Sequence, residues 1–220
     1  MAGSNEKEIK KLTSKNIAIF MLFLVIIGIV TGCLFSPVFN ITAVKALDGE
    51  NVSSSEIINV ANVPIGINIF KINDSKIESQ IENLPYVRKA SVYREFPSTI
   101  VLNVEERVPY SIVKYLESFA VADKYGYILE INKENDLKSL PIIYGLDSVQ
   151  FNVGDKLDGT SLLKYEHCAY LFETAEKTGF KYKFDEINYD NPTNVKLYIK
   201  ERDIDVIYGN VEIATIEEKL

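Results

Sequence analysis

The only histidine in this 220-residue sequence, His167, stands beside one of its two cysteines, Cys168. A thiol with a nearby imidazole is the arrangement of a nucleophilic pair, and it would suit a cell-wall enzyme that uses the C-terminal half of the chain. Both residues lie in a segment with helical periodicity, however, and adjacent helical positions point about 100° apart. We therefore expect a buried Cys168 beside a partly exposed His167, because free cysteine is usually a small core residue.

A second pair of candidate groups is formed by the adjacent carboxylates Glu105 and Glu106. Two carboxylates close together can work as a general acid and base. These two are neighbours on an expected strand, where successive side chains face opposite sides of the sheet. We expect them to act as a solvated residue and a salt-bridge partner of Arg94 or Arg107.

No other pattern completes a chemical site. Asp203 and Asp205 share an expected strand face, but no third ligand stands nearby in the sequence. Cys33 and Cys168 lack the short spacing of paired zinc ligands, and the glycines are isolated turn signals rather than a phosphate-binding loop. We therefore expect no catalytic residue, no metal, no cofactor and no small-molecule substrate.

Composition limits the class of protein further. The formal net charge of −7 argues against a nucleic-acid partner, which requires clustered positive charge. Apolar residues make up 47% of the chain and charged residues 25%, as in folded proteins. The length leaves room for one or two domains.

An apolar run from Ile17 to Phe35 contains nineteen residues without a charge. As a helix it would be roughly 28 Å long, about the thickness of the hydrocarbon core of a bilayer. Four lysines precede the run, and the next positive residue is Lys45. The positive-inside rule therefore places residues 1–16 in the cytoplasm and everything after Phe35 outside it.

Cys33 allows a second kind of membrane anchor, a lipid attached to its side chain. Val30 to Cys33 has the form of a bacterial lipoprotein cleavage box, after which Cys33 would be lipidated. The apolar run is longer than a usual signal core, lacks an A-x-A-like site and continues through Leu34 and Phe35. We expect an uncleaved single-pass anchor in the lipid bilayer, with a lipidated extracellular binding protein as the alternative.

Residues 36–109 are expected to form a small module with the order β-α-α-β-β. A strand over residues 41–47 is followed by a helix that begins with a capping box from Ser53 to Glu56. Gly66 lies in an apolar loop where its positive φ would be tolerated. Asn73 or Asp74 caps the second helix.

The module ends in a β-hairpin whose boundaries are set by prolines. Pro85 ends the second helix, and residues 86–93 alternate as a half-buried strand. Pro97 lies in the turn, and residues 99–108 form the returning strand up to Pro109.

Residues 110–220 are expected to form a second, β-rich domain with one longer helix. The helix begins near Ser161 and ends at Gly179, and Gly126 lies in a turn between two strands. Residues 133–138 are expected to be a charged loop and residues 213–220 a terminal helix. The expected strands are 110–115, 118–122, 127–131, 140–144, 184–189, 194–200 and 204–208.

Five short segments occur in order behind the anchor: Phe39-Asn40-Ile41, Gly66-Ile67-Asn68-Ile69-Phe70, Leu84-Pro85-Tyr86-Val87, Arg94-Glu95-Phe96-Pro97 and Glu106-Arg107-Val108-Pro109. Together they resemble the FtsQ-type POTRA domain of the FtsQ/DivIB family of bacterial cell-division proteins. The turn from Asp123 to Gly126 is similar to the start of that family's C-terminal β domain. The resemblance implies an α+β fold: a single transmembrane helix (17–35), a POTRA domain (36–109) and a β domain (110–220). The family pattern has further strands after the last helix, so we expect the β domain to be incomplete at its end.

The resemblance also implies a function. Members of this family are non-enzymatic scaffolds of the division machinery at the septum, and their partners are small membrane proteins of the FtsB/DivIC and FtsL type. Binding by strand addition suits such a layout, because a free sheet edge offers amide and carbonyl groups to a partner strand.

Two surfaces are expected to bind such partners. One is the last strand, with Ile204, Val206 and Tyr208, although this strand could equally be internal and paired with later chain. The other is the hairpin, with Arg94, Glu95 and Arg107 as a polar rim. The positions expected to matter for the fold are Gly66, Pro85, Pro97, Pro109 and Gly126.

Overall fold

A computed structural model describes residues 2–132, 139–146, 151–180, 183–191 and 193–209, with side chains from residue 16 onward. Helix α1 (Ala2–Leu34) comes first, and its segment Asn16–Leu34 is long and apolar enough to cross a membrane. In the described part of the chain this is the one helix that meets that criterion of length and composition. The segment buries none of its residues against protein, unlike the core helix of a soluble protein.

A three-stranded sheet follows α1, after a 3₁₀ turn at Pro37–Phe39. Its strands are β1 (Ala43–Ala46), β2 (Val87–Glu95) and β3 (Thr99–Glu106), in the spatial order β1-β3-β2. Strand β1 runs parallel to β3, with Ala43 opposite Thr99. Helices α2 (Ser54–Ala61) and α3 (Asp74–Glu82) lie between β1 and β2 in the chain, which gives the expected β-α-α-β-β order.

The elements of this sheet bury the residues that their periodicity indicates. Helical spacing of three or four residues places apolar side chains on one helix face, and a spacing of two does so on a strand. The set buried in this way is Ile57 and Ala61 of α2, Ile77 and Ile81 of α3, Ala90 and Val92 of β2, and Ile100 and Leu102 of β3. Val87, the first residue of β2, is also buried but does not follow this spacing.

The remaining strands form a seven-stranded sheet with one long helix. In chain order they are β4 (Pro109–Tyr115), β5 (Ser118–Asp123), β6 (Ile128–Asn132), β7 (Ile142–Tyr144), β8 (Glu186–Asn188), β9 (Val195–Ile199) and β10 (Ile204–Gly209). Their spatial order is β10-β9-β8-β7-β4-β5-β6, and β7 runs parallel to both β4 and β8. Helix α4 (Gly159–Lys177) packs Tyr165, Cys168 and Leu171 into the core of this sheet.

The chain divides into two compact units, and the division crosses the smaller sheet. The first unit comprises Met1–Asp48, Ser54–Glu78 and Ser91–Asn103, and the second comprises Gly49–Ser53, Ser79–Ala90 and the chain from Val104 onward. The boundary expected between two domains at residues 109 and 110 therefore remains a prediction.

The α+β class, the N-terminal apolar helix, the POTRA-like order and the strand-rich C-terminal region are confirmed. Strand β1 is shorter than expected because Ile41 is instead bonded to the loop at residues 66–67, through Ile41 N to Ile67 O (2.9 Å) and Gly66 N to Ile41 O (2.8 Å). The loop expected at residues 133–138 and the helix expected at residues 213–220 lie outside the described residues.

Candidate partner-binding site

Strand β10 lies at one end of the larger sheet. It pairs with β9 in antiparallel register, with Ile204 opposite Ile199, and the described residues place no strand on its other side. A strand in this position presents a row of backbone amides and carbonyls that a partner strand can use.

The side chains of β10 divide between the core and the surface. Tyr208 is buried and Val206 is half-buried against the core of the second unit, whereas Ile204 and Ile207 are 47% and 67% exposed. Side chains alternate along a strand, and Val206 and Tyr208 face the core. Ile207, which lies between them, therefore faces outward. Ile207 is absent from the candidates expected from the sequence, which are positions 204, 206 and 208.

The opposite end of the larger sheet is β6, and the start of its outer edge is already paired. Ile128 donates to Asp155 O and accepts from Gly154 N, both over 2.8 Å. Leu157 donates to the carbonyl of Gly126, which has a φ of 80° in the turn before β6. These bonds cover the first part of the β6 edge with residues of the loop before α4.

The outer edge of β2 is closed in a different way, by side chains. The amide of Ala90 donates to Glu82 Oε1 and the amide of Val92 donates to Glu78 Oε1, each over 3.0 Å. Both glutamates belong to α3. Two successive outward-facing amides of β2 are therefore occupied, as is common where a sheet edge must not recruit another chain.

The polar residues expected on the hairpin rim make ion pairs inside the chain. Arg94 donates to both carboxylate oxygens of Asp74, over 2.6 and 2.7 Å, and its Nε donates to the carbonyl of Ile69 over 3.0 Å. Glu95 accepts from Lys45 over 2.8 Å, with both side chains more than half exposed. Arg94 thus holds the start of α3 and the preceding loop, a role for which a bidentate guanidinium is well suited.

Arg107, the third rim candidate, lies in a buried polar cluster within the second unit. Its Nη1 donates to Asp123 Oδ2 over 2.7 Å, and its guanidinium stacks 3.6 Å from the ring centroid of Tyr127. Asp123 Oδ1 accepts the amides of Tyr125 and Tyr127, each over 2.9 Å. The Asp123 carboxylate therefore has three donors, which offsets the cost of burying it.

A buried hydroxyl continues this cluster. Tyr165 donates to the backbone carbonyl of Asp123 over 2.6 Å and shares a hydrogen bond of 2.7 Å with Ser111 Oγ. Burial raises the pKa of Tyr165, so its hydroxyl stays protonated and continues to donate. The polar groups of this cluster are hydrogen-bonded to one another, as in a structural network of a protein core. None of them is held ready for a reaction.

The two carboxylates considered as an acid–base pair have different partners from those expected. Glu105 pairs with Arg88, and Glu106 accepts the amides of Asn51 and Val52 over 3.1 and 3.2 Å. The expected pairing with Arg94 or Arg107 was wrong, because those arginines meet carboxylates from α3 and β5. Glu106 instead anchors the loop that precedes α2.

The second acidic pair does not share a strand face. Asp203 lies in the turn before β10 with a φ of 53°, and its Oδ1 accepts the hydroxyl of Tyr198 over 3.0 Å. Asp205 lies within β10. The expected common face was wrong because the left-handed turn breaks the alternation at Asp203.

Most of the positions expected to matter for the fold lie at turns. Gly66 has a φ of 83°, Phe96 and Pro97 are joined by a cis peptide bond, and Pro109 is the first residue of β4. Pro85 lies between α3 and β2, where Leu84 donates back to Ile81 O over 3.0 Å.

His167 and Cys168 do not form a nucleophilic pair. Cys168 is buried, and this burial raises its thiol pKa to about 12, so the thiolate is scarce at neutral pH. His167 Nδ1 lies 3.0 Å from the hydroxyl of Tyr189 instead. Among the described residues, no cluster of histidine, cysteine and carboxylate side chains could hold a metal ion.

The second unit contains an apolar groove of about 440 Å³. Two aromatic contacts form its walls: Tyr110 with Phe172, at 6.2 Å between ring centroids, and Phe180 with Phe184, at 5.2 Å. Burial raises the pKa of Tyr110 to about 12, which leaves the hydroxyl neutral at physiological pH. The groove offers apolar contact and contains no histidine, cysteine or aspartate among its lining residues.

Comparison of the sequence with known proteins finds similarity to bacterial cell-division proteins. Residues 39–107 match the model of the FtsQ-type POTRA domain. The chain is 28% identical to the cell division protein DivIB of Clostridium tetani over 186 residues, which covers 84% of this chain and 69% of that protein. It is 24% identical to the cell division protein FtsQ of Syntrophotalea carbinolica over 165 residues (74% and 57%), and 34% identical to DivIB of Clostridium acetobutylicum over 134 residues (61% and 48%).

The chain therefore spans about half to two thirds of the length of these relatives. The matched POTRA segment coincides with the smaller sheet and its two helices, and the longer alignments extend well beyond it. On these grounds the chain is similar to the FtsQ/DivIB family of cell-division proteins, through an FtsQ-type POTRA domain and alignments that extend beyond it.

Proposed function

We propose that this protein is a non-enzymatic scaffold of the division machinery, anchored by α1 as a single-pass membrane protein. Its N-terminus lies in the cytoplasm, because the lysines precede the apolar segment. The sheets lie outside the cytoplasm, as a POTRA domain (36–109) and a β domain (110–220). Its site of action is the division septum.

The observation behind the partner-binding part of this proposal is the edge of β10. Of the two ends of the larger sheet, β6 is partly covered by the loop at residues 152–157, whereas β10 presents exposed Ile204 and Ile207. A strand of a membrane partner of the FtsB/DivIC or FtsL type pairs along β10 and covers these side chains. Backbone bonds supply affinity, and the alternate side chains supply selectivity.

Cross-linking from two matched positions tests this assignment. A photo-reactive amino acid at Ile207 reports on the β10 edge, and one at Tyr93 reports on β2, whose neighbouring amides are occupied by Glu78 and Glu82. Both side chains are more than half exposed. In dividing cells we expect cross-links to small division membrane proteins, identified by mass spectrometry, from position 207 and none from position 93.

Localisation of a fluorescent fusion tests the cellular role independently of the edge. Enrichment at the division site is the expected result. An even envelope signal would contradict the division role, and cross-links of equal yield from both positions would contradict the β10 edge while leaving that role intact.

A further inference from the structure

An exposed apolar surface surrounds the point where α1 ends. We define the juxtamembrane patch as six large apolar side chains of the first unit that are 41–62% exposed: Phe35, Val38, Ile65, Ile67, Phe70 and Phe96. They come from three places in the chain, namely the segment after α1, the loop before α3 and the β2–β3 turn. Contiguous exposed apolar surface of this kind marks a site of interaction with protein or membrane.

Two aromatic members of the patch, Phe70 and Phe96, contact each other and Phe39. The ring centroids of Phe39 and Phe70 are 5.5 Å apart, and Phe70 and Phe96 are also 5.5 Å apart. Phe39 and Phe96 meet edge to face at 6.3 Å. The turn residue Phe96 therefore belongs to the same surface as the residues that directly follow α1.

Side-chain contacts attach this surface to the end of the apolar helix. Asn68 Nδ2 donates to the carbonyl of Leu34, the last residue of α1, over 2.9 Å, and its Oδ1 accepts the amide of Phe70 over 3.0 Å. Lys71 Nζ lies 5.6 Å from the ring centroid of Phe35. Helix-terminal carbonyls lack partners within the helix, so Asn68 satisfies one of them and fixes the patch in place.

The backbone of the patch is also bonded within the protein. Phe35 N donates to Thr31 O, Phe39 N donates to Ser36 O, and Ile69 N donates to Phe39 O, over 2.8 to 3.1 Å. Backbone groups that enter the edge of a bilayer must have internal partners, because little water is available there. This surface meets that requirement at these positions.

The charges beside the patch suit the headgroup region. Glu95, next to Phe96 in sequence, is neutralised by Lys45. The ammonium of Lys71 is carried on a flexible apolar stem, and such side chains reach polar headgroups while their stems remain in apolar surroundings.

We propose that the juxtamembrane patch inserts into the outer boundary of the bilayer and holds the first unit against the membrane surface. This inference rests on the proposed role of α1 as a membrane span. A segment of nineteen residues that ends at Leu34 is roughly 28 Å long, so the next residues emerge at the level of the headgroups. The patch is continuous with that end and is fixed to it by Asn68, which makes lipid its nearest occupant.

The chain contains no tryptophan, so one introduced tryptophan reports on a single place without background. Phe96→Trp and Ile65→Trp are the patch reporters, the second serving if the first disturbs the hairpin turn. The full chain is reconstituted into phosphatidylcholine vesicles with bromine near the headgroup end of one acyl chain, and into matched vesicles without bromine. We expect blue-shifted emission from both reporters and a loss of intensity in the brominated vesicles.

Two control variants separate the possible outcomes. Leu47 is an exposed residue directly after β1, about 20 Å along an extended chain from Ile41. The emission of the Leu47→Trp variant should show no bromine-dependent loss of intensity. Phe23→Trp lies within the apolar segment and should be quenched if α1 spans the bilayer.

Each pattern of tryptophan quenching tests a different claim. Quenching at position 23 with none at 96 or 65 would overturn the patch proposal and leave the anchor standing. No quenching at position 23 would overturn the anchor itself, and the patch proposal with it. Blue-shifted but unquenched emission at 96 and 65 would place the patch against a second copy of the chain and overturn the lipid assignment.

Discussion

Arg107 donates to the carboxylate of Asp123 over 2.7 Å, and only 12% and 3% of these two side chains remain exposed. A second ion pair of the same unit, Arg88 with Glu105, is roughly half exposed on both sides. The chain thus offers a buried and an exposed arginine–carboxylate pair near the end of β3. The two pairs should differ in their contribution to the stability of the fold. Breaking the buried pair would leave a buried charge without its partner, which is costly, whereas the exposed pair is screened by solvent.

Replacing the buried arginine should therefore destabilise the fold. Arg107→Met leaves Asp123 with its two amide donors but without a cation, and we expect a loss of roughly 3 kcal/mol. The measurement is urea unfolding of the full chain in detergent. Arg88→Met is the control and should change the midpoint far less. Equal shifts for the two variants would contradict the view that the Arg107 pair is a structural element.

The edge of β2 gives a prediction about assembly. The double variant Glu78→Ala, Glu82→Ala removes the acceptors of the Val92 and Ala90 amides. Each lost hydrogen bond should lower the free energy of unfolding by about 1 kcal/mol. The uncovered edge should then recruit other strands, so we expect increased self-association in analytical ultracentrifugation and new cross-links from Tyr93. Glu78→Gln with Glu82→Gln keeps the acceptors and should remain as monodisperse as the parent. A double alanine variant that behaves like the parent would show that these bonds do not protect the edge.

Local pattern was sufficient to predict much of the fold. Alternation with a period of two predicted both strands of the hairpin, and Asn73 or Asp74 before an apolar helical pattern predicted the start of α3. The cap is Asn73, whose Oδ1 accepts the amide of Lys76 over 3.1 Å. These features depend on neighbours within a few residues.

The partners of charged residues could not be predicted in this way. Asp74 lies 20 residues before Arg94, and Asp123 lies 16 residues after Arg107, and several other acids were equally available in sequence. The outward position of Ile207 also depended on distant packing. A strand with apolar residues on both faces does not reveal which face meets the core until the sheet order is known.

Gly145 should be sensitive to the smallest side chain. It has a φ of 80°, and a Cβ there would lie 2.2 Å from the backbone nitrogen of Asp190. Gly145→Ala combines a left-handed conformation, which costs about 1–2 kcal/mol, with a clash against backbone that cannot move aside easily. Gly154→Ala is the matched control, because Gly154 has a φ of 92° and open space around its Cβ position. A lower unfolding midpoint for Gly145→Ala than for Gly154→Ala is expected, and equal midpoints would contradict a tight approach at Gly145.

Cys168 should resist alkylation while the protein is folded. Its pKa is raised to about 12 from 9.0, so the reactive thiolate is on the order of a thousandfold scarcer at pH 8 than for an unperturbed thiol. In a Cys33→Ala background, iodoacetamide labelling followed by mass spectrometry should be slow in native buffer and rapid in urea. Prompt labelling of the native chain would reopen the nucleophilic interpretation of His167 and Cys168.

Cys33 distinguishes the two kinds of membrane anchor. If α1 is an uncleaved span, Cys33→Ala should remain in the membrane after alkaline carbonate extraction, because the apolar segment Asn16–Leu34 supplies the anchoring energy. Val25→Arg places a charge near the middle of that segment, at a cost of roughly 2.5–3.5 kcal/mol, and should weaken insertion. A lipoprotein would give the opposite result. Release of the Cys33→Ala chain, or a diacylated Cys33 at the mature N-terminus by mass spectrometry, would show that lipid rather than the helix holds the protein at the membrane.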